Sequence, residues 1–211
     1  MSKILENKCK KELKNVDKSH KRLLLHSCCA PCSSHVITFL APYFDITILY
    51  YNPNIAPKDE YLKRKNEQIK LLSMLESPNK LDFIDCDYDN EKYNELVRGY
   101  EMCPEKGERC TICFNLRIEK TAKVAKENDY DYFCTTLSVS PYKNAELINE
   151  IGEDMEKKYN VKWLHSDFKK ENGYKHSIEL SHKYGLYRQD YCGCVYSKRD
   201  EMLRKSKKGD E

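Results

Sequence analysis

Glycine is absent from the first 98 residues; the first is Gly99, and the whole chain of 211 residues holds seven. A phosphate loop reads GxxxxGK[ST] and a dinucleotide turn GxGxxG, so neither motif stands near the start of this chain. Nucleotide binding through those loops is excluded there. No run of 18 apolar residues exists, so no membrane-spanning helix is expected. The opening "MSKILENKCKKELKNVDK" lacks an apolar stretch followed by a small-residue cleavage site, and a cytoplasmic protein is expected.

Cysteine is abundant instead, with eleven residues. A reducing cytosol does not favour structural disulfides, and an odd total does not pair completely. Metal binding or redox chemistry is the leading reading. Isolated cysteines such as Cys86 and Cys134 are expected to be small buried hydrophobes.

The net charge is +3, and it is concentrated at the ends. Residues 1–22 carry eight Lys and Arg against three acids, and residues 198–211 six against four. Basic tails can hold a polyanion such as RNA. Charge by itself favours the plainer reading of solvated, disordered ends.

Patterning predicts strands over residues 21–26, 44–51 and 80–87, then "YDYFCTTLS" and "VKWLHSDF". Helices alternate with them. "SSHVITFLAPY" reads as a helix with Ser33 or Ser34 as N-cap. Residues 58–76 read as a helix burying Leu62, Ile69, Leu72 and Leu75. Others cover 90–100, 111–129 and about 144–160, with a last helix from about Val195. Alternation of this kind implies an α/β fold, a mostly parallel sheet flanked by helices. The expected organisation is a basic extension over 1–20, one α/β domain over 21–203 and a polar tail over 204–211. Ligands of such sheets sit at the carboxyl ends of the strands. The unusual segments "HSCCAPCSSH", "YYNPNI", "DCD" and "TTLSVSPYKN" all fall at that edge.

Three groups of cysteines carry chemistry. Cys28, Cys29 and Cys32 stand in the first loop. Cys103, Cys110 and Cys113 form the second group; Cys110 and Cys113 share a face at a helix start, where thiolate is favoured. The C-x₂-C units Cys29/Cys32 and Cys110/Cys113 suit zinc or an iron–sulfur cluster, and their wide separation favours a working cofactor. Cys192 and Cys194 flank one glycine, and such a pair suits a readily reduced disulfide or two further metal ligands.

"LLLHSCCAPCS", "YYNPNI", "EKGERCTICFNLR", "TTLSVSPYKN", "DFKKENGY" and "LYRQDYCGCVYS" together resemble the QueH family of epoxyqueuosine reductases. The resemblance runs from Leu23 to Ser197. It implies a Rossmann-like α/β fold related to adenine-nucleotide α-hydrolases, with a cysteine loop before the last helix. It implies reduction of epoxyqueuosine to queuosine at the wobble position of tRNA, the last step of queuosine synthesis. The implied cofactor is a 4Fe–4S cluster on Cys28, Cys29, Cys110 and Cys113, with Cys192 and Cys194 as a redox-active disulfide. Family members also hold an additional iron, for which Cys32 is the candidate ligand, at a position that can be Asp in relatives. Spacing alone would choose Cys29 and Cys32 as a pair, in conflict with the implied set. Cys103 and Cys9 match no ligand of the family.

Turning an epoxide into an alkene takes two electrons and two protons and releases water. The electron donor is unidentified. Asp190, Tyr191 and His26 are candidates for the proton donor by position. Tyr50, Tyr51, Tyr142 and Tyr187 are candidates to stack on anticodon-loop bases. Arg117, Lys143, Arg188 and the basic N-terminal segment are candidates for phosphate contacts. Two rival readings are a zinc-stabilised RNA-binding module without catalysis and a thiol–disulfide oxidoreductase acting on proteins.

Overall fold

Leu23, Leu24 and Leu25 have no exposed surface, because their strand has a neighbour on each side and a helical layer on each face. The computed structural model describes residues 2–16 and 20–208. Its strands are β1 (Arg22–His26), β2 (Asp45–Tyr50), β3 (Leu81–Asp85), β4 (Tyr132–Thr135) and β5 (Lys162–Trp163). All strand pairs are parallel, in the order β3-β2-β1-β4-β5. The helices are α1 (Ser2–Asn15), α2 (Ala30–Leu40), α3 (Lys58–Met74), α4 (Asn90–Leu96), α5 (Glu108–Glu127), α6 (Ala145–Tyr159), α7 (Gly173–Lys183) and α8 (Val195–Lys208). None of these is long and apolar enough to cross a membrane.

Strand side chains alternate between the faces. Leu24 therefore joins the core under α5 and α6, with Phe114, Ile118, Ile148 and Trp163. Leu23 and Leu25 join the other core, with Val36, Ile37 and Leu40 of α2 and Ile46 and Ile48 of β2. The chain leaves β1 toward β2 and later returns to β1's other side as β4. A parallel sheet opens a crevice at such a reversal, beyond the carboxyl ends of its strands. His26 lies there in register with Leu49 and Thr135.

Four local expectations need correction. Helix α2 starts at Ala30, with Cys29 at the N-cap and Pro31 in the first turn. Ser33 and Ser34 lie inside the helix, where their hydroxyls donate to the carbonyls of Cys29 and Pro31. Helix α3 buries Tyr61, Arg64, Gln68 and Leu71, leaving Leu62 and Ile69 exposed. Leu72 and Leu75 do pack against the core, but the rest of the inward face carries Arg64 and Gln68, so apolar periodicity finds only part of the buried set. Strand β5 has only two residues, although Leu164 still donates its N–H to the carbonyl of Phe133. The N-terminal segment is helical rather than disordered, with Cys9, Leu13 and Val16 buried against the α2 core.

Candidate functional site

Strand β1 ends at His26, and only Ser27, Cys28 and Cys29 separate it from α2. This tight loop brings the sulfurs of Cys28, Cys29 and Cys32 within 4.8 Å of one another. Cys28 is tied to the end of β4: its N–H donates to Thr136 Oγ1 at 3.0 Å, and that hydroxyl donates to Cys28 Sγ at 3.2 Å. Hydrogen bonding from Cys29 and Cys32 holds the Cys28 thiol well below its ordinary pKa, with help from Lys143 and Arg117. Contact with Cys28 pushes Cys29 up to about 12, and Cys32 rises for the same reason. Of the three sulfurs, ionisation is favoured at Cys28.

A cavity of about 320 Å³ opens over this triad, walled also by Arg64, Lys143, Tyr191 and Cys192. A neighbouring cavity is lined by Cys110, Cys113, Cys192 and Cys194. Glu105, Tyr142, Lys143 and Cys192 line both, so these residues stand between the cavities of the two cysteine groups. Cys110 and Cys113 lie outside the 4.8 Å grouping of the first three sulfurs. They sit in the first two turns of α5, which begins at Glu108. Their position at a helix start does not make them thiolates here. Burial pushes the Cys113 thiol up to about 12, against the pull of Arg117, and burial raises Cys110 as well.

Cys192 and Cys194 are not bridged to each other. Cys194 is buried, and its thiol lies 3.3 Å from the Ser197 hydroxyl. Gly193 has φ +121°, and a Cβ there would meet Ile55 Cγ1 at 2.9 Å and Arg64 Nη1 at 3.1 Å. Glycine is favoured both by the backbone angle and by the close approach of the Ile55 and Arg64 side chains.

Arg117 is buried; it donates through Nη2 to Asn52 Oδ1 at 2.6 Å and reaches Cys113 Sγ at 3.8 Å. It is therefore an internal cation and no phosphate contact. Lys143 is better placed for a ligand. Burial works against its charge, but the sulfurs of Cys192, Cys28 and Cys32 outweigh burial and raise its pKa. His26 has no exposed surface and contacts Thr135, Tyr51 and Arg117. Burial, then Arg117, lowers its pKa to about 3, so it is a neutral support beneath the site rather than a proton donor in it. Tyr50 and Tyr51 are also buried and cannot stack on bases, whereas Tyr142 is 57% exposed at the cavity rim.

Asp190, Tyr191 and Arg188 line the triad cavity. Asp190 pairs with Lys205 of α8, and Arg188 donates to Ser181 Oγ at 3.0 Å. Tyr187 is half-buried, with the Lys63 ammonium 3.4 Å from its ring centroid. Cys103 sits in a loop that Arg109 clamps by donating to the carbonyls of Glu101 and Cys103. Cys134 is fully buried as expected; Cys86 is half-buried. Sequence reasoning missed Arg64, which packs over Tyr191 and donates to the Cys192 carbonyl at 3.1 Å. Nothing in its local sequence marks it, since it lies between lysines on a charged helix.

A donor set of sulfurs beside three buried or half-buried cations fits a metal group that prefers thiolates and carries negative charge. One polar atom of a cavity-lining residue, the donor Arg64 Nη2, is buried without a partner, as expected where an anionic group completes the site.

The family model described as "Epoxyqueuosine reductase QueH" matches residues 23–200. A protein of that name from Streptococcus pyogenes serotype M1 is 45% identical over 177 residues, covering 83% of this chain and 69% of the relative. One from Staphylococcus epidermidis is 45% identical, covering 86% of this chain and 78% of its own. One from Thermotoga maritima is 36% identical, covering 83% and 89%. With its thiol-bearing crevice and these matches over most of its length, the chain belongs to the QueH family of epoxyqueuosine reductases.

Proposed function

We propose that this protein reduces epoxyqueuosine to queuosine in tRNA, as an oxidoreductase working in the crevice between β1 and β4. The observation that carries the reading is the place of Cys192, which lines both the cavity of Cys28, Cys29 and Cys32 and that of Cys110 and Cys113. Cys28, Cys29, Cys110 and Cys113 would hold a 4Fe–4S cluster, with Cys32 free to bind an additional iron. Such a cluster, when bound, supplies electrons one at a time at a potential set by its surroundings.

The chain's own residues supply the rest. The thiols of Cys192 and Cys194 together carry two electrons and two protons. Their oxidation to a disulfide balances the loss of the epoxide oxygen as water and the formation of the alkene. Lys143 places a fixed positive charge at the junction of the cavities, where an oxygen leaving carbon gathers negative charge. Tyr191 is the remaining candidate for the protonating group, since the Lys205 ammonium holds Asp190 as a carboxylate. Tyr142 at the rim offers a ring on which an unstacked base can rest, and Arg188 and Lys143, which line the same cavity, would contact its backbone.

The test is anaerobic reduction of epoxyqueuosine-containing tRNA, followed by nucleoside analysis. Wild type should yield queuosine, and Cys194→Ser should not complete multiple turnovers. Binding of the tRNA should weaken steeply with added salt. The 4.8 Å grouping of Cys28, Cys29 and Cys32 also suits a single ion, which favours the rival reading of a zinc-stabilised RNA-binding module. Metal analysis separates the two: the module holds about one zinc per chain and no iron.

A further inference from the structure

A cation held partly out of water, with no carboxylate to match it, calls for an anion from outside. The triad cavity is lined by four cations, Arg64, Lys143, Arg188 and Arg204. Two of them are matched within the protein, Arg64 by Glu60 at 2.7 Å and Arg204 by Glu201 at 2.9 Å. The carboxylates of the cavity are matched too, Asp190 by Lys205, and Glu105 and Glu201 by Arg204. Among the described residues, Lys143 and Arg188 form no ion pair. Lys143 stands between the two cysteine cavities, whereas Arg188 lines only the triad cavity, beside Tyr174 and Ser177 of α7.

Arg188 is set as a fork. Its Nη1 donates to Ser181 Oγ at 3.0 Å and to the Ser177 carbonyl at 3.4 Å. Ser181 in turn donates to that carbonyl at 2.5 Å, and both serines are buried, so the anchor is rigid. One edge of the guanidinium is thereby tied to α7. Its Nε and Nη2 take no protein partner and are open to solvent. A fixed guanidinium with that edge free matches two oxygens of a phosphate through parallel N–H···O bonds.

The cavity's size says which phosphate. About 320 Å³ admits one nucleoside and no folded stretch of RNA. A base that reacts there leaves its stack, and the phosphodiesters flanking it stay at the mouth. We infer that Arg188 is a specificity-determining residue that grips, through Nε and Nη2, a phosphodiester next to the reacting nucleotide, with Ser181 as its positioning residue. This deepens the tRNA reading given above and rests on it. The site then selects a nucleotide embedded in a strand over the free nucleoside, which brings no phosphate.

The experiment measures binding of an anticodon stem-loop RNA to full-length wild type, Arg188→Gln, Arg188→Lys and Ser181→Ala across a range of salt, with a thermal melt of each protein. Arg188→Gln should bind about tenfold more weakly, and its salt slope on logarithmic axes should be shallower by about 0.7, the share of one single-strand phosphate. Arg188→Lys should keep the wild-type slope yet bind severalfold more weakly, since an ammonium carries the charge without the fork. Ser181→Ala should do the same. In turnover, Arg188→Gln should raise KM for the epoxyqueuosine-containing stem-loop and leave KM for the free nucleoside unchanged. A role confined to holding α7 would lower melting temperatures and leave the slope of Arg188→Gln at the wild-type value. That result, or an equal rise of both KM values, overturns the inference and leaves the tRNA reading intact. Wild type that binds the RNA with no dependence on salt overturns both. Should Arg188→Gln fail to fold, Arg188→Lys decides, and wild-type affinity in that variant overturns the inference.

Discussion

Arg117 stands one helical turn beyond Cys113, its Nη1 is 3.8 Å from that sulfur, and its Nη2 donates to Asn52 Oδ1 at 2.6 Å. The guanidinium thereby joins α5, which carries one cysteine pair, to the Asn52 turn after β2. Asn52 in turn donates to the carbonyl of Ser27, directly before the other cysteines. Replacing Arg117 with Met should leave Asn52 Oδ1 buried and unpaired and cost about 1–3 kcal/mol. Denaturant unfolding measures the loss. Arg117→Lys should recover little of it, since an ammonium cannot reproduce the fork.

Cys28 should be the most reactive of the three triad thiols in metal-free protein, because only it is held toward thiolate while Cys29 and Cys32 are pushed up. Brief alkylation at neutral pH followed by peptide mass spectrometry should show modification at Cys28 first. Lys143→Gln removes a supporting charge and should slow that modification severalfold.

Gly193→Ala should destabilise the cysteine loop by about 1–3 kcal/mol, the usual cost of forcing a side chain into a disfavoured backbone region. The new methyl would press on Ile55 and Arg64 as well. Thermal melts should show the loss, and the redox equilibrium of Cys192 and Cys194 should shift with it.

The docking of α1 should depend on pH. His165 lies 2.7 Å from Glu12 on α1 and 2.7 Å from Glu153 on α6, with Lys8 the nearby cation. Burial and Lys8 oppose its charge, but the two carboxylates prevail and its pKa is raised. A group raised on folding contributes fully below its unfolded value, about 6.5, and loses that contribution as pH climbs through the folded value. Glu153 is lowered, chiefly by Lys8 and then His165, so its share fades instead as pH falls through its own folded value. The stability difference between wild type and His165→Asn should therefore shrink as pH rises from 6 to 9. It should reach about 1 kcal/mol at most, because the carboxylates are partly solvated.

The sheet is readable because β2 and β4 are short β-branched or aromatic runs, β1 is an unbroken run of leucines, and helical patterns separate the strands. The thiol loops were equally legible, since cysteines in such spacings have few other uses. The inward face of helix α3 is legible only in part, for a physical reason. Its inward side carries Arg64 and Gln68, whose value lies in hydrogen bonds that no apolar period reveals. Residue type suits Tyr50, Tyr51 and Arg117 to RNA, yet burial decides availability: the tyrosines are covered at the end of β2 and Arg117 faces inward from α5. Helix α1 was hidden by its lysines, which mask the spacing of Cys9, Leu13 and Val16.

The central claim is that thiols from two loops at one sheet edge hold a single iron–sulfur cofactor beside the Cys192/Cys194 pair. The most direct measurement is an anaerobic crystal structure with iron anomalous scattering. The account requires iron bonded to the sulfurs of Cys28, Cys29, Cys110 and Cys113 together. A lone zinc on Cys28, Cys29 and Cys32, with Cys110 and Cys113 bound to nothing, would contradict it.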